Sequence, residues 1–283
     1  MKLAVLSGKG GAGKTLTAVS LAAVAGRAVY VDCDVEEPNG RLFLKPEGVR
    51  SEAVTVPRPV FDAARCTGCR TCVKFCRFNA LVFLKGTPMV FPEVCHACGG
   101  CALVCPQGAV TEVSRSVGAV EVGAHGEILT VTGVLNPGES SGVPVIKAAL
   151  HWGETLADGQ GTPLPIILDC PPGSACPVVE SVGSADFCLL VAEPTAFGLH
   201  NLKMVHELVT LMHKPCGIVI NRGRAPYAPL EAFCEENRIP VLARIPYRDD
   251  IARIAAAGGI VAEELPEVAD IFAGLWRKIG GAA

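Results

Sequence analysis

The sequence predicts an α/β protein with a doubly wound, mostly parallel sheet and a small cysteine-rich insert. Three observations carry this. Short apolar runs alternate with helix-like stretches over most of the 283 residues. A glycine-rich loop joins the first run to the first helix-like stretch. Eight of the fourteen cysteines crowd between Cys66 and Cys105.

Lys2 to Leu6 reads as a strand, the loop follows at once, and Thr15–Val24 reads as a helix. Further strands are expected at Ala28–Val31, Ile166–Leu168, Phe187–Val191, Ile218–Ile220 and Val241–Ile245. Helices are expected at Leu199–His213 and Pro229–Asn237. Continuous apolar runs of this kind suit strands buried on both faces. Pro57–Ser114 breaks the alternation, opening with Pro-Arg-Pro and filling with cysteines. The chain therefore divides into 1–57, an insert at 58–114, and 115–283. Gly118–Val134 reads as a hairpin turning at Ala124-His125-Gly126. Val268, Ile271, Phe272, Leu275, Trp276 and Ile279 form an apolar stripe at helical spacing.

Half the residues are hydrophobic and 19% are charged, which permits a sizeable core. A net charge of −3 gives no reason to expect nucleic acid as a partner. No apolar run reaches the roughly 18 residues a membrane span needs, and the strand at the start argues against a signal peptide. Clustered cysteines read as metal ligands before disulfides, with a cytoplasmic location.

Gly8-Lys9-Gly10-Gly11-Ala12-Gly13-Lys14-Thr15 fits G-x-x-x-x-G-K-[ST] between a strand and a helix. Glycines let successive N–H groups curl around one anion, and the helix adds the positive end of its dipole. Lys14 is expected on the β- and γ-phosphates and Thr15 on Mg²⁺. Asp169, after Ile166-Ile167-Leu168, is the candidate magnesium-linked carboxylate. Asp34, after Val31-Asp32-Cys33, ends a second strand. Either aspartate could instead cap a helix.

Lys9 inside the loop makes it resemble the deviant phosphate loop, K-G-G-x-G-K-T, of the MinD, ParA, Mrp and nitrogenase-iron-protein superfamily. Asp169-Cys170-Pro171-Pro172-Gly173 looks like that family's D-x-P-P-G switch. The stretch from Ala185 to Val191, leading to Glu193-Pro194-Thr195, is similar to its next strand and loop. Ile218-Val219-Ile220-Asn221-Arg222 resembles a strand ending in the asparagine that recognises adenine. Ile245-Pro246-Tyr247 resembles the late element near the base. The resemblance implies a P-loop NTPase fold of the SIMIBI type that binds Mg-ATP between two subunits. The dimer would pair two copies of this chain, or this chain and a paralogous ATPase. It implies that Lys9 crosses the interface to the other subunit's nucleotide, and that Asp34 positions or activates the attacking water. A charge supplied in trans can be worth roughly 10³–10⁵ in rate.

Cys66, Cys69, Cys72 and Cys76 are spaced C-x₂-C-x₂-C-x₃-C, and Cys95, Cys98, Cys101 and Cys105 repeat the spacing. This is the bacterial two-cluster ferredoxin run, in which the fourth cysteine ligates the other cluster. Cys66, Cys69, Cys72 and Cys105 are therefore expected to hold one [4Fe–4S] cluster, and Cys95, Cys98, Cys101 and Cys76 the second. The insert would then be a small α+β ferredoxin-like domain. Zinc is the main rival. Pro106 follows the second run but Arg77 follows the first, a departure from the usual proline. Six Lys/Arg against three Asp/Glu between Arg58 and Glu112 leave the insert's side chains net positive. They would partly offset the anionic clusters or simply form a solvated surface. His96 suits a supporting donor. Cys33, Cys170, Cys176, Cys188, Cys216 and Cys234 read mostly as buried small hydrophobes.

The C-terminal stripe carries only Arg277 and Lys278 as basic residues, after Glu263, Glu264, Glu267 and Asp270. That is the wrong charge pattern for a membrane-binding helix, so a helix packed on the sheet is expected. Three functions follow: ATP-gated electron transfer to, or maturation of, a redox or metalloprotein partner; iron–sulfur carriage; and nucleotide-switched positioning or partitioning.

Overall fold

Apolar runs become strands where helices cover both faces. The computed structural model describes residues 1–280. Among them the strands are β1 (Lys2–Leu6), β2 (Ala28–Asp32), β3 (Glu47–Phe61), β4 (Leu81–Leu84), β5 (Thr87–Val90), β6 (Val110–His125), β7 (Ile128–Leu135), β8 (Ile166–Asp169), β9 (Phe187–Ala192), β10 (Cys216–Gly223) and β11 (Val241–Pro246). The helices are α1 (Lys14–Ala25), α2 (Gly40–Leu44), α3 (Thr71–Phe75), α4 (Gly100–Leu103), α5 (Val143–Asp158), α6 (Cys176–Gly183), α7 (Ala196–Leu211), α8 (Ala228–Glu236), α9 (Asp249–Ala256), α10 (Val261–Glu264) and α11 (Pro266–Gly280).

The large sheet runs β11-β10-β9-β1-β8-β2-β7-β6-β3. Its first seven strands are mutually parallel, and β6 and β3 are antiparallel additions. One face buries Val145, Ile146 and Ala149 of α5 with Val178 of α6, Val205 of α7 and Leu230 of α8. The other buries Ala18 and Leu21 of α1 with Ile254 of α9 and Val268, Phe272, Leu275 and Ile279 of α11. The C-terminal stripe thus packs inward, and Lys278 Nζ donates to the Leu242 carbonyl at 2.6 Å. Among the described residues no helix is long and apolar enough to cross a membrane. The hairpin turns at Gly126-Glu127, slightly later than expected, because Gly126 takes the positive φ (55°) that the turn needs.

β6 pairs with β7 only from Gly118 to His125, whereas β3 follows β6 outward to the pair Phe61–Val110. A two-stranded ribbon therefore leaves the sheet and continues through residues 110–117, roughly 25 Å at a strand's rise. Strand pairing extends into the range 58–114 from both sides. Beyond it come α3, the β4–β5 hairpin and α4. The register slips where the ribbon departs: Val54 faces Gly118 but Thr55 faces Ser116. Val117 is the extra residue of this bulge, and its carbonyl accepts from Asn136 N at 2.9 Å.

The loop between β7 and α5 clasps this point. Asn136 Nδ2 donates to the Ser116 carbonyl, and Arg115 pairs with both oxygens of Glu139 at 2.6 and 2.8 Å. Replacing Arg115 by alanine is expected to loosen the ribbon locally. Amide exchange in 54–61 and 110–117 should quicken about five- to ten-fold, while β1 and β8 keep their protection.

Candidate functional site

The chain leaves β1 at Leu6 and turns through the glycine-rich loop into α1. Gly13 stands at the helix N-cap with φ 93°, and no side chain caps the helix. The first N–H groups of α1 thus remain available to an anion. A Cβ on Gly13 would run into the Asn221 amide. Asn221 Nδ2 donates to the Ala12 carbonyl at 2.8 Å, and its Oδ1 accepts from Arg222 N at 2.9 Å. This residue, expected at adenine, is therefore also a clamp on the loop, with only part of its amide left for a base.

A cavity of about 850 Å³ opens over the loop, within the range of small-molecule sites. Gly10, Gly11, Gly13, Lys14 and Thr15 line it on one side. Asn221, Arg222, Pro246 and Tyr247 line it on another, with Asp34 and Gly142 at the ends of neighbouring elements. Leu42 and Phe43 of α2 and Ile251 of α9 complete an apolar wall that no sequence motif marks. Gly8, Lys9, Ala12 and Asp169 are not among the lining residues.

Asp169 lies beneath Lys14. Lys14 Nζ is 2.7 Å from Asp169 Oδ1 and 3.5 Å from Asp34 Oδ2. Asp32 accepts from Asp34 N at 3.1 Å and from Gly40 N at 2.9 Å. Tyr30 donates its hydroxyl to Asp169 Oδ2 at 2.9 Å. Burial alone would lower the Lys14 pKa, but Asp169 and Asp34 reverse this and leave it above the ordinary value. Burial pushes Asp32 well above the carboxylate range, and the charge of Asp169 adds to that. Asp34 is raised too, by burial first, with Lys14 pulling it back. Burial, then Asp169 and Asp32, raises Tyr30, so its phenol stays a donor. One ammonium faces two carboxylates, Asp169 and Asp34, with the Asp32 carboxyl close behind. That excess of negative charge, in an all-oxygen donor set with the Thr15 hydroxyl, suits Mg²⁺. Asp32 and Tyr30 were not singled out from the sequence. Asp32 stands two residues before Asp34 in the same D-x-D, and the direction of a tyrosine hydroxyl is invisible there.

Lys9 turns to its own chain. Its Nζ lies 2.8 Å from Glu193 Oε2 and over the Phe197 ring, 5.1 Å from the centroid. Glu193 Oε1 also takes Arg222 at 2.7 Å.

The eight clustered cysteines stand around two small cavities beyond the ribbon. Cys66, Cys69, Cys72 and Cys105 line one of about 20 Å³. Cys76, Cys95, Cys98 and Cys101 line the other, about 70 Å³, and Cys72 borders it as well. Among the described residues no three His, Cys, Asp or Glu side chains gather tightly enough to hold a single metal ion. Ala109 N donates to Cys105 Sγ at 3.3 Å and Thr71 Oγ1 to Cys69 Sγ at 3.4 Å. Phe78 stacks on His96, with centroids 3.9 Å apart, beside the second cavity.

Residues 3–261 match the family described as the CobQ/CobB/MinD/ParA nucleotide binding domain. An uncharacterized protein of Methanocaldococcus jannaschii, MJ0578, is 27% identical over 286 residues, covering 99% of this chain and 96% of its own. A second from that organism, MJ0579, is 26% identical over 227 residues, covering 78% of this chain and 80% of its own. Among solved structures, the cell division ATPase MinD of Pyrococcus furiosus is similar at a TM-score of 0.58 and 20% identity, over 100% of this chain and 99% of that one. The septum site-determining protein MinD of Pyrococcus horikoshii, complexed with Mg-ADP, is similar at 0.58 and 19%, over 98% and 95%. At these identities the likeness establishes the fold alone.

Gly13→Ala tests the loop. The added methyl meets the Asn221 clamp in a backbone conformation that side chains resist, a strain of about 1–3 kcal/mol. Binding of a fluorescent ATP analogue is expected to weaken at least ten-fold, with far-UV circular dichroism unchanged.

Proposed function

The chain belongs to the CobQ/CobB/MinD/ParA nucleotide-binding family, and from that premise we propose a Mg-ATP-dependent ATPase whose nucleotide state is passed to a two-cluster iron–sulfur insert. The observation that carries the coupling, whatever the insert holds, is the β7–α5 loop, which touches both halves. Gly142 lines the nucleotide cavity. A Cβ there would collide with Val35, the neighbour of Asp34. Leu135 N donates to the Val35 carbonyl at 2.9 Å. At its other end the loop holds Val117, Ser116 and Arg115 of the ribbon. A shift at Asp34 would therefore reach the insert through a short run of direct contacts.

In this reading the phosphates take the loop N–H groups, and Lys14 turns from Asp169 to the β- and γ-oxygens. Thr15 and Asp169 would hold Mg²⁺, directly or through its bound water, and the ion would neutralise charge on the phosphates. Asp34 orients the attacking water. Lys9 exchanges Glu193 for the nucleotide of the partner subunit, a second copy or a paralogous ATPase. Asn221, Arg222, Pro246 and Tyr247 border the base. In the insert the first cavity is lined by four thiols and the second by five, Cys72 standing on the wall between them; four is the donor number of a [4Fe–4S] cluster. Such clusters, when bound, supply one-electron transfer. The partner would be a redox or metalloprotein; giving clusters away is the variant of this reading in which they are cargo.

A second reading has direct support. The family, and likeness to a septum site-determining MinD, favour nucleotide-switched positioning or partitioning over electron transfer; the cysteine insert alone favours the latter. Since α11 is committed to the core, positioning would need another surface for its target.

Iron and labile sulfide counts on anaerobically purified protein discriminate the two. About eight iron per chain, with an EPR spectrum that changes on adding Mg-ATP and no longer changes in Glu139→Ala, is the expected result. Iron-free protein that co-sediments with lipid vesicles only in ATP would favour positioning. For the dimer, Lys9→Ala should keep nucleotide binding within about two-fold while ATP turnover falls about 10³-fold.

A further inference from the structure

The three carboxylates under the phosphate loop are not held alike. Asp32 is fixed by two backbone N–H groups, those of Asp34 and Gly40. Asp34 reaches the cavity and shares Lys14. Among the described residues the Asp169 carboxylate has two hydrogen-bond donors, Lys14 on Oδ1 and Tyr30 on Oδ2. The fold gives it no backbone donor.

We propose that Tyr30 is a positioning residue for the magnesium site: its hydroxyl holds Asp169 by Oδ2 and keeps Oδ1 aimed past the phosphate loop. The proposal rests on the ATPase reading and names a residue that reading does not use. Its logic is an exchange of partners. Lys14 cannot serve the phosphates and Asp169 equally, and once it turns to the phosphates Oδ1 is released toward Mg²⁺ or its bound water. Tyr30 is then the one protein donor left on that carboxylate. Without it, a carboxylate with no exposed surface would be free to rotate about its last side-chain bond. It would also carry an unsatisfied oxygen, which is costly at such a depth.

The surroundings leave the phenol little choice. Tyr30 is fully buried on β2, beside β8 in the sheet. Gly40, at the start of α2, packs so closely on its hydroxyl that a Cβ there would collide. The same glycine donates its N–H to Asp32. A tyrosine that merely filled the core would do so equally well as phenylalanine. The oxygen is the part that needs a reason.

Tyr30→Phe removes that atom and keeps the ring. Binding of a fluorescent ATP analogue is titrated with Mg²⁺, in parallel with binding in EDTA. The apparent Mg²⁺ affinity is expected to fall about 10- to 100-fold, the range of a hydrogen bond to a charged group. Binding in EDTA should stay within about two-fold. In an Asp169→Asn background the Tyr30→Phe change should have no further effect on the Mg²⁺ titration, because the carboxylate it positions is gone. A wild-type Mg²⁺ titration in Tyr30→Phe, an undiminished effect in the Asp169→Asn background, or a Tyr30→Phe chain that fails to fold would overturn the proposal and leave the phenol as core packing. Wild-type protein that binds the analogue equally with Mg²⁺ and EDTA would instead defeat the underlying ATPase reading.

Discussion

A single buried ammonium paired with two carboxylates, beside a third carboxyl group, sets the terms for the rest of the molecule. Parallel pairing brings it about: Val5 of β1 and Asp32 of β2 both stand level with Asp169 of β8. The loop after β1 then delivers Lys14 onto the acidic ends of its neighbours. Such a cluster is poor at stabilising a fold, because desolvation of the charges consumes most of the Coulomb gain. Removing one member would leave another charge buried and unpaired. The arrangement makes physical sense as a loaded exchange, in which Lys14 has a good partner and a better one arrives with the triphosphate. The strands that hold it are covered on both faces by tightly packed aliphatic side chains, so the acids cannot relax away when the lysine moves.

The same strand end feeds the ribbon. Val35 follows Asp34 and lies against the β7–α5 loop, whose Glu139 and Asn136 hold the bulge at Val117. A packed contact of this kind responds by switching between arrangements rather than by bending continuously. A small rotation at the base of a ribbon roughly 25 Å long would become a larger displacement at its far end. The geometry is indifferent to what the insert carries, and serves a redox module and a docking module equally.

Legibility in the sequence followed how local each feature is. The phosphate loop is a contiguous run with a strand before it and a helix after it. The central strands announce themselves as apolar runs because both faces are buried. The first half of β3 is harder: Glu47 to Ala53, at the edge of the large sheet, are exposed on both faces, so no alternation marks them as a strand. Tyr30 read as one more apolar strand residue, since nothing in Ala-Val-Tyr-Val-Asp tells which way a hydroxyl points. Asp32 and Asp34 are two residues apart at the end of β2, and only the fold distinguishes the one tied to backbone N–H groups from the one that reaches the cavity. The Lys9–Glu193 pair joins residues that follow β1 and β9, neighbours in the sheet and far apart in the chain.

The insert raises an electrostatic question that its own side chains leave open. Among the described residues, Arg58, Arg65, Arg70, Lys74, Arg77 and Lys85 take part in no ion pair. On the ATPase body, by contrast, Arg115, Arg222, Arg244 and Arg248 each have a carboxylate. Six cations on so small a module repel one another, and Asp62, Glu93 and Glu112 do not balance them. Neutral thiols would leave that repulsion standing. Thiolates gathered on an anionic group would relieve it from inside, with Arg70 and Arg77 already lining the two cavities. A solvated basic surface would serve as well if the counter-charge came from a docked acidic partner. The two differ in position: cations that neutralise an interior charge belong at the cavity walls, and two of the six are there.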